Sequence, residues 1–431
     1  MHGIQLPTRY QLRSRLSGRI FPDRSWLLDA PGDPGPSLLQ SVYGNQQLEV
    51  KPETFGIYRF ADWMPVHRIL EGSSAPITYR SAGLAGHLGL KNLWITFSGY
   101  WPERGALMRT CSFKETEAYS VCARLPLDQH NTLVVASAGN TARAFARVCS
   151  DNRIPLLLCV PVDTLDALWF DSPVDSCVTM ISPPAGSDYY DAIHLSNMVC
   201  QLDGFIPEGG AKNIARRDGM GTTVLSAVTT IGSIPGYYFQ AVGSGTGAIA
   251  AWEANLRLIG DGRFGSGKMK LCLSQNYPFQ PMVDAWKARS RELFPMPDQQ
   301  ARDLVARIGA KVLSNRRPPY TVPGGLFDAL TDTGGEMTAL TNEEAAAAGT
   351  LFEKLEGIDI HPAAAVAAAS LISAVELGQV PTDGIIMLNI TGGGEVRLQR
   401  SRKELIFLKP SLITERDISI EELGRRLMEI L

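Results

Sequence analysis

A lysine does chemistry only where its surroundings make it more than a surface charge. In the stretch RTCSFKETEAYS (Arg109–Ser120), Lys114 stands beside a phenylalanine at what reads as a helix start, behind the small hydroxylic residues Thr110 and Ser112. A lysine amine held there can attack a carbonyl and can serve as a general base. Three other stretches offer groups that such an amine would need. AVGSGTGAIAAW follows a strand and opens a helix. Its Gly243, Ser244, Gly245, Thr246 and Gly247 can turn backbone N–H groups and hydroxyls towards a phosphate. VVASAGNTARAF places Ser137, Gly139, Asn140 and Thr141 at a strand end, where N–H donors suit a carboxylate and an amide suits a ring oxygen. IMLNITGGGEV ends a buried strand with Thr391, whose hydroxyl could bond a heteroaromatic nitrogen while the glycines admit a flat ring. Taken singly, these read equally well as a tight turn, a capped helix and a strand end. In this chain order, together with Lys114, they supply what pyridoxal 5'-phosphate requires.

Competing motifs are weaker. Gly243-x-Gly245-x-x-Ala248 meets the loose dinucleotide fingerprint, but the following strand, MKLCLSQN, ends in Gln275 and Asn276 with no acidic residue for a ribose. GRFGSGKM (Gly262–Met269) has the spacing of a nucleotide P-loop. Met269 replaces the Mg²⁺-binding hydroxyl, however, and a strand follows instead of a helix, so it reads as a surface turn. Six scattered histidines and seven cysteines without C-x-x-C pairing give no metal site and no disulfide framework.

These groups need a scaffold. KNLWITF, TLVVAS, IPLLLCVP, CVTMIS, YYFQAVG, MKLCLSQ and GIIMLNI are apolar throughout. Helical stretches separate them: TARAFARVCSDN, DTLDALWF, DYYDAIHLSNMVC, GMGTTVLSAVTTIG, TGAIAAWEANLRLI and HPAAAVAAASLISAVEL. Such alternation means parallel strands covered on both faces, an α/β chain with two doubly wound lobes and the site at strand ends between them. The expected division is an irregular N-terminal arm (1–70), a large lobe (71–106 and 206–431) and a small mobile lobe (107–205) carrying Lys114 and the asparagine turn. A net charge of -3 and pI near 6.1 disfavour nucleic acid or an anionic membrane as partner. There is no apolar run of membrane-spanning length and no secretory signal, and the thiols suit a cytoplasmic chain.

From YRFADWMPV to NITGGG, most of its length, the chain resembles the fold-type II pyridoxal-phosphate enzymes (tryptophan synthase β-like), those like threonine synthase above all. APITYRSAGLAGHLGLKNLWI is similar to their opening Thr-Pro-Leu segment. TCSFKE resembles T-G-S-F-K-D, SAGNT resembles S-x-G-N-T, and GSGTG resembles their phosphate loop. NIARRDGMGT is similar to N-P-x-R-x-E-G-Q-K-T and keeps Asn213, Arg216, Gly219 and Thr222. EGIDIHPAAAVAA resembles E-G-x-x-x-x-P-x-x-A-A.

The resemblance implies pyridoxal 5'-phosphate as cofactor, Lys114 as its Schiff-base lysine, Asn140 on its phenolic oxygen, Gly243–Gly247 on its phosphate and Thr391 at its ring nitrogen. Ser112, Ser137, Gly139 and Thr141 would take the substrate carboxylate. The departures are Arg109, Cys111, Glu115, Thr116 and Gly221 in place of Pro, Gly, Asp, Arg and Lys. They add a cation near the lysine and remove polar groups. The resemblance with these departures implies β-replacement, O-phospho-L-serine and sulfite giving L-cysteate and phosphate, a step towards coenzyme M, with threonine synthesis on O-phosphohomoserine as the nearest alternative. A catalytically silent binding protein of this fold is the alternative from another class. Two small anions need cations; Arg109, Lys212, Arg216 and Arg217 are candidates, with Arg216 favoured by its motif and Asn213 beside it. A homodimer is what the family implies.

Overall fold

A computed structural model describes residues 6–431 apart from 25, 129 and 403. The two expected sheets are present. The larger has six strands in the order Glu336–Leu340, Lys270–Asn276, Tyr237–Ala241, Ile385–Ile390, Asn92–Phe97 and Ile77–Arg80. All run parallel except the edge strand Ile77–Arg80. The smaller, wholly parallel, runs Phe205–Pro207, Thr132–Ala136, Leu156–Cys159, Val178–Ser182 and Leu412–Ile413. Central strands buried along their length, such as Leu156–Cys159 and Val178–Ser182, explain the unbroken apolar runs. The helix Pro362–Glu376 lies inside the large lobe, where ten of its residues, most of them alanines, are buried; small side chains let it press close to the sheet.

Three expectations change. The C-terminal stretch does not stay with the large lobe. Leu412–Ile413 adds the outermost strand to the small sheet, and Leu423 and Leu427 of the helix Ile420–Ile430 bury themselves against that lobe's Leu195 and Val199. The amphipathic C-terminal helix needed an apolar face to cover, and the small sheet offered one. The arm is less irregular than its prolines and glycines suggest: Tyr10–Ser14 pairs antiparallel with both Ile20–Phe21 and Leu39–Tyr43. Its 3₁₀ segment Gly56–Trp63 joins the lobes, with Ile57, Tyr58 and Ala61 in the small-lobe core and Phe60 and Trp63 in the large. DTLDALWF, read as helix, is a 3₁₀ segment (Val162–Ala167) followed by the short strand Trp169–Phe170. Gly262–Lys268 is a surface turn, as its sequence implied.

Candidate active site

The C-terminal ends of both sheets open on one cavity of about 120 Å³ between the lobes. Lys114 begins the helix Lys114–Arg124, and the turn before it is tied down by backbone. Phe113 N–H donates to the Thr391 carbonyl at 2.9 Å, and Gly393 N–H to the Cys111 carbonyl at 3.0 Å. Cys111 sits at φ 53°, a left-handed conformation costly for any residue with a side chain. The backbone thus keeps the shape that the expected glycine would have taken, although the residue has changed. Glu115 is buried and accepts the Thr110 N–H, which closes the turn from the other side.

The amine of Lys114 lies 3.1 Å from Glu117 Oε2. Burial pushes its pKa down; Glu117 opposes that, and Arg216 adds to it. Arg216 is pinned between two carboxylates, at 2.6 Å from Glu208 Oε2 and 3.1 Å from Glu117 Oε1. Burial alone would weaken its charge, but the two carboxylates outweigh it and hold the guanidinium ionised.

The phosphate loop is built as its glycines require. Gly245, at φ 79°, caps the sixteen-residue helix Thr246–Asp261, whose first N–H groups face the cavity. A methyl group at Gly243 would lie 2.8 Å from the Val312 carbonyl oxygen, and one at Gly247 would lie 2.7 Å from Gln240 Nε2. Gly243 therefore needs the bare backbone, whereas a methyl at Gly247 would require the Gln240 side chain to shift. Ser244 and Thr246 share a 2.8 Å hydroxyl–hydroxyl bond at the mouth of this cradle.

Opposite, Asn140 starts the helix Asn140–Asn152, with Ser137, Gly139 and Thr141 beside it on the cavity wall. Arg143 donates from Nη2 to Asn140 Oδ1 at 3.0 Å, which turns the amide N–H₂ away from that arginine and within 3.5 Å of His361 Nε2. Arg143 is itself held by Glu395, the Thr110 and Ala167 carbonyls, and the face of Trp169. Thr391 and Ser112 line the same cavity.

Two predicted site residues lie elsewhere. Arg109 turns outward to Asp171 (2.7 Å) and Asp151 (3.2 Å), with a further bond to Ser172, because those carboxylates offer charge pairs that an apolar turn does not. Asn213 caps the helix Ile214–Ile231 through the Ala215 N–H, accepts from Arg124 Nη1 and donates to the Glu208 carbonyl, so its amide is fully engaged in structure. Of the other cations considered, Lys212 pairs with Asp29 at the surface, and buried Arg217 pairs with Glu253. Gln275 and Asn276, the ends of the rejected dinucleotide strand, accept backbone N–H groups within the large lobe.

Several cavity residues escaped sequence reasoning. His361 caps the helix Pro362–Glu376 by accepting the Ala363 N–H, and burial lowers its pKa, which favours the neutral ring. Its position before a helix-opening proline was a usable signal. Tyr189, Gln240 and the segment Lys311–Asn315 had none. That segment lies on the phosphate loop through Val312, whose side chain also faces Gly139 of the small lobe. The next residue, Arg316, crosses to the small lobe, pairing with Asp188 at 2.9 Å and stacking over Tyr190.

The residues fit pyridoxal 5'-phosphate. A cradle that a single added methyl would crowd, a buried amine, an oriented amide and a strand-end hydroxyl converge on one space. The sequence matches the family described as "Pyridoxal-phosphate dependent enzyme" over residues 81–392. A relative from Methanosarcina mazei named cysteate synthase is 49% identical over 96% of this chain and 99% of its own. One of the same name from Methanospirillum hungatei is 43% identical over 98% of each. Among solved structures, maize serine racemase superposes with a TM-score of 0.58 at 14% identity, covering 76% of this chain and 91% of its own. A diaminopropionate ammonia lyase from Escherichia coli superposes equally well, covering 78% and 89%.

Proposed function

The chain belongs to the pyridoxal-phosphate dependent enzymes, and from that premise we propose that it is a cysteate synthase, converting O-phospho-L-serine and sulfite into L-cysteate and phosphate. One observation carries this reading: identity of 43–49% to proteins of that name extends over nearly the whole of both chains.

Lys114 would hold the cofactor's aldehyde, Gly243–Gly247 its phosphate, Asn140 its phenolic oxygen and Thr391 its ring nitrogen. When bound, the cofactor supplies an electron sink conjugated to the substrate's α-carbon. The chain's own groups do the rest. The substrate carboxylate meets Ser112 and the N–H groups of the Ser137–Thr141 turn, at the start of the helix Asn140–Asn152. Lys114 Nζ takes the α-proton. Its lowered pKa favours the neutral amine that a base must be, and Glu117 at 3.1 Å then steadies the ammonium. Thr391 presents a hydroxyl, not a carboxylate, so it does not hold the ring nitrogen protonated; the milder sink suits expulsion of a β-phosphate. Arg216 is the cation that meets the departing phosphate and the arriving sulfite. The strap from Lys311 to Arg316, gripping Asp188, keeps the lobes closed and water out. The same reading takes the protein to be a cytoplasmic homodimer with small anions as its partners, without nucleic acid or membrane; its net charge of -3 supports that, and among the described residues no helix is long and apolar enough to cross a bilayer.

The test is product analysis. Purified protein loaded with cofactor receives O-phosphoserine with sulfite, and separately O-phosphohomoserine with water. Cysteate from the first mixture is expected, with both product and visible cofactor absorbance lost in Lys114→Ala. Threonine alone, from the second, would sink the proposal.

A further inference from the structure

Arg216 is the arginine that lines the cavity among the described residues, yet it is not free to receive an anion at no cost. It stands in a buried chain of alternating charge: Lys114, Glu117, Arg216, Glu208. With Lys114 as an ammonium, two cations and two carboxylates balance; with Lys114 as a neutral amine, the carboxylates are in excess. A doubly charged phosphate or sulfite arriving at Arg216 would leave this nearly dry cluster with at least two uncompensated negative charges. Something must give up a charge.

The two carboxylates are not equivalent. Glu117 bridges two cations, with Oε2 at 3.1 Å from Lys114 Nζ and Oε1 at 3.1 Å from Arg216 Nη2, the latter off the hydrogen-bond direction. Glu208 faces one cation. Its Oε2 takes the Arg216 guanidinium at 2.6 Å and the Gly210 N–H at 2.9 Å, while its Oε1 is buried without any hydrogen-bond partner. A carboxylate with one oxygen orphaned in the interior is the group for which a proton costs least. The other groups facing it are Glu117 and Lys114 from the lysine helix and Tyr189 from the small-lobe helix Tyr189–Val199. Burial first, and Glu117 second, already push its pKa upward against the pull of Arg216.

We propose that Glu208 takes one proton from solvent when a doubly charged oxyanion docks on Arg216, so that the cluster exchanges an internal negative charge for the ligand's. This rests on the reading that the cavity takes anionic substrates. Glu208 does not line the cavity and acts through Arg216; it is a positioning residue whose protonation state sets how much charge the guanidinium can offer. The arrangement holds its proton for as long as doubly charged phosphate or sulfite occupies the site.

Calorimetric titration of the cofactor-loaded protein with inorganic sulfate tests this, since sulfate has no proton to exchange near neutral pH. Comparing two buffers of different ionisation enthalpy gives the protons taken up per ion. Uptake approaching one proton per sulfate is expected, with affinity falling by up to about tenfold per pH unit above the titration of Glu208. Glu208→Gln should bind sulfate without proton uptake and without that pH dependence. Should this variant fold poorly, infrared difference spectra of the unaltered protein carry the same question, because sulfate should raise the protonated-carboxyl band. Absence of uptake, absence of sulfate binding, or uptake that survives in Glu208→Gln and vanishes in Glu117→Gln overturns the assignment. Cysteate formation is measured separately: if it fails while proton-linked binding is seen, the substrate reading falls and the proton site stands.

Discussion

Glu115, next to the lysine, gives a prediction whose size follows from its surroundings. Its carboxyl is buried behind the Thr110–Phe113 turn, and burial raises its pKa from 4.5 to about 7, with the Thr110 N–H and Arg109 pulling the other way. In the unfolded chain it titrates near 4.5. Below that value it is protonated in both states and its contribution to stability is complete. As pH rises towards 7 the folded state holds a proton that the unfolded state has lost, so stability declines; above 7 the loss is finished. Each pH unit in that window removes about 1.4 kcal/mol, and the whole window about 3 kcal/mol. A 431-residue chain has an unfolding entropy near 0.9 kcal/mol/K, so this amounts to about 3–4 °C in melting temperature. Glu115→Gln keeps an oxygen for the Thr110 N–H but cannot ionise. Its melting temperature should gain about 3–4 °C on that of the unaltered protein between pH 4.5 and 8, measured by calorimetry at matched scan rate and cofactor loading. Because the comparison is a difference, other titrating groups cancel. Parallel profiles for the two proteins would refute the argument that this carboxyl is held neutral by burial.

The remaining expectations concern the cavity and its mouth. Arg109→Ala should leave the Michaelis constants for O-phosphoserine and sulfite within about twofold while lowering stability by about 1–3 kcal/mol, since it breaks ties to Asp171 and Asp151 and touches no cavity wall; steady-state kinetics and thermal melts check both. Gly243→Ala forces a methyl to 2.8 Å from the Val312 carbonyl and should weaken cofactor binding by about 1–3 kcal/mol, roughly 5- to 150-fold by equilibrium titration. Lys311 lines the mouth and donates only to the Val305 and Ala306 carbonyls, so its charge reaches solvent uncompensated by a carboxylate among the described residues. Lys311→Ala should lower kcat/KM for anionic substrates by up to about fivefold at low salt, with the difference fading at high ionic strength.

What could be read in the sequence was what local backbone geometry dictates. Gly243, Gly245 and Gly247 between a strand and a helix, or Asn140 at a strand end, specify a loop whatever lies around them. Their N–H groups had to face the strand ends where the two lobes meet. Arg109 and Asn213 were misplaced because a charge or an amide declares no partner. Asp171 lies sixty-two residues from Arg109, and the Arg124 that occupies Asn213 lies eighty-nine away. The strand Leu412–Ile413 has two residues, too few for any period, and its place in the small sheet is fixed by a neighbour, Val178–Ser182, more than two hundred residues earlier. Glu336–Leu340 has one exposed and two half-buried positions in five, as suits an edge strand, so it never formed the apolar run by which its neighbours were recognised.

The charges around Lys114 also set Arg109 and Arg216 apart as candidates for holding an anion. An anion site needs a cation that its own fold has left partly unsatisfied. Arg109 has two carboxylates and a hydroxyl as partners and does not border the cavity. Arg216 also has two carboxylates, but it borders the cavity, and one of its partners has an oxygen with no other bond. On the proposed exchange, ligand charge would replace internal charge at this pair. On the proposed function, anions would be selected through the group whose internal pairing is easiest to relax, not through the cation nearest the lysine in sequence.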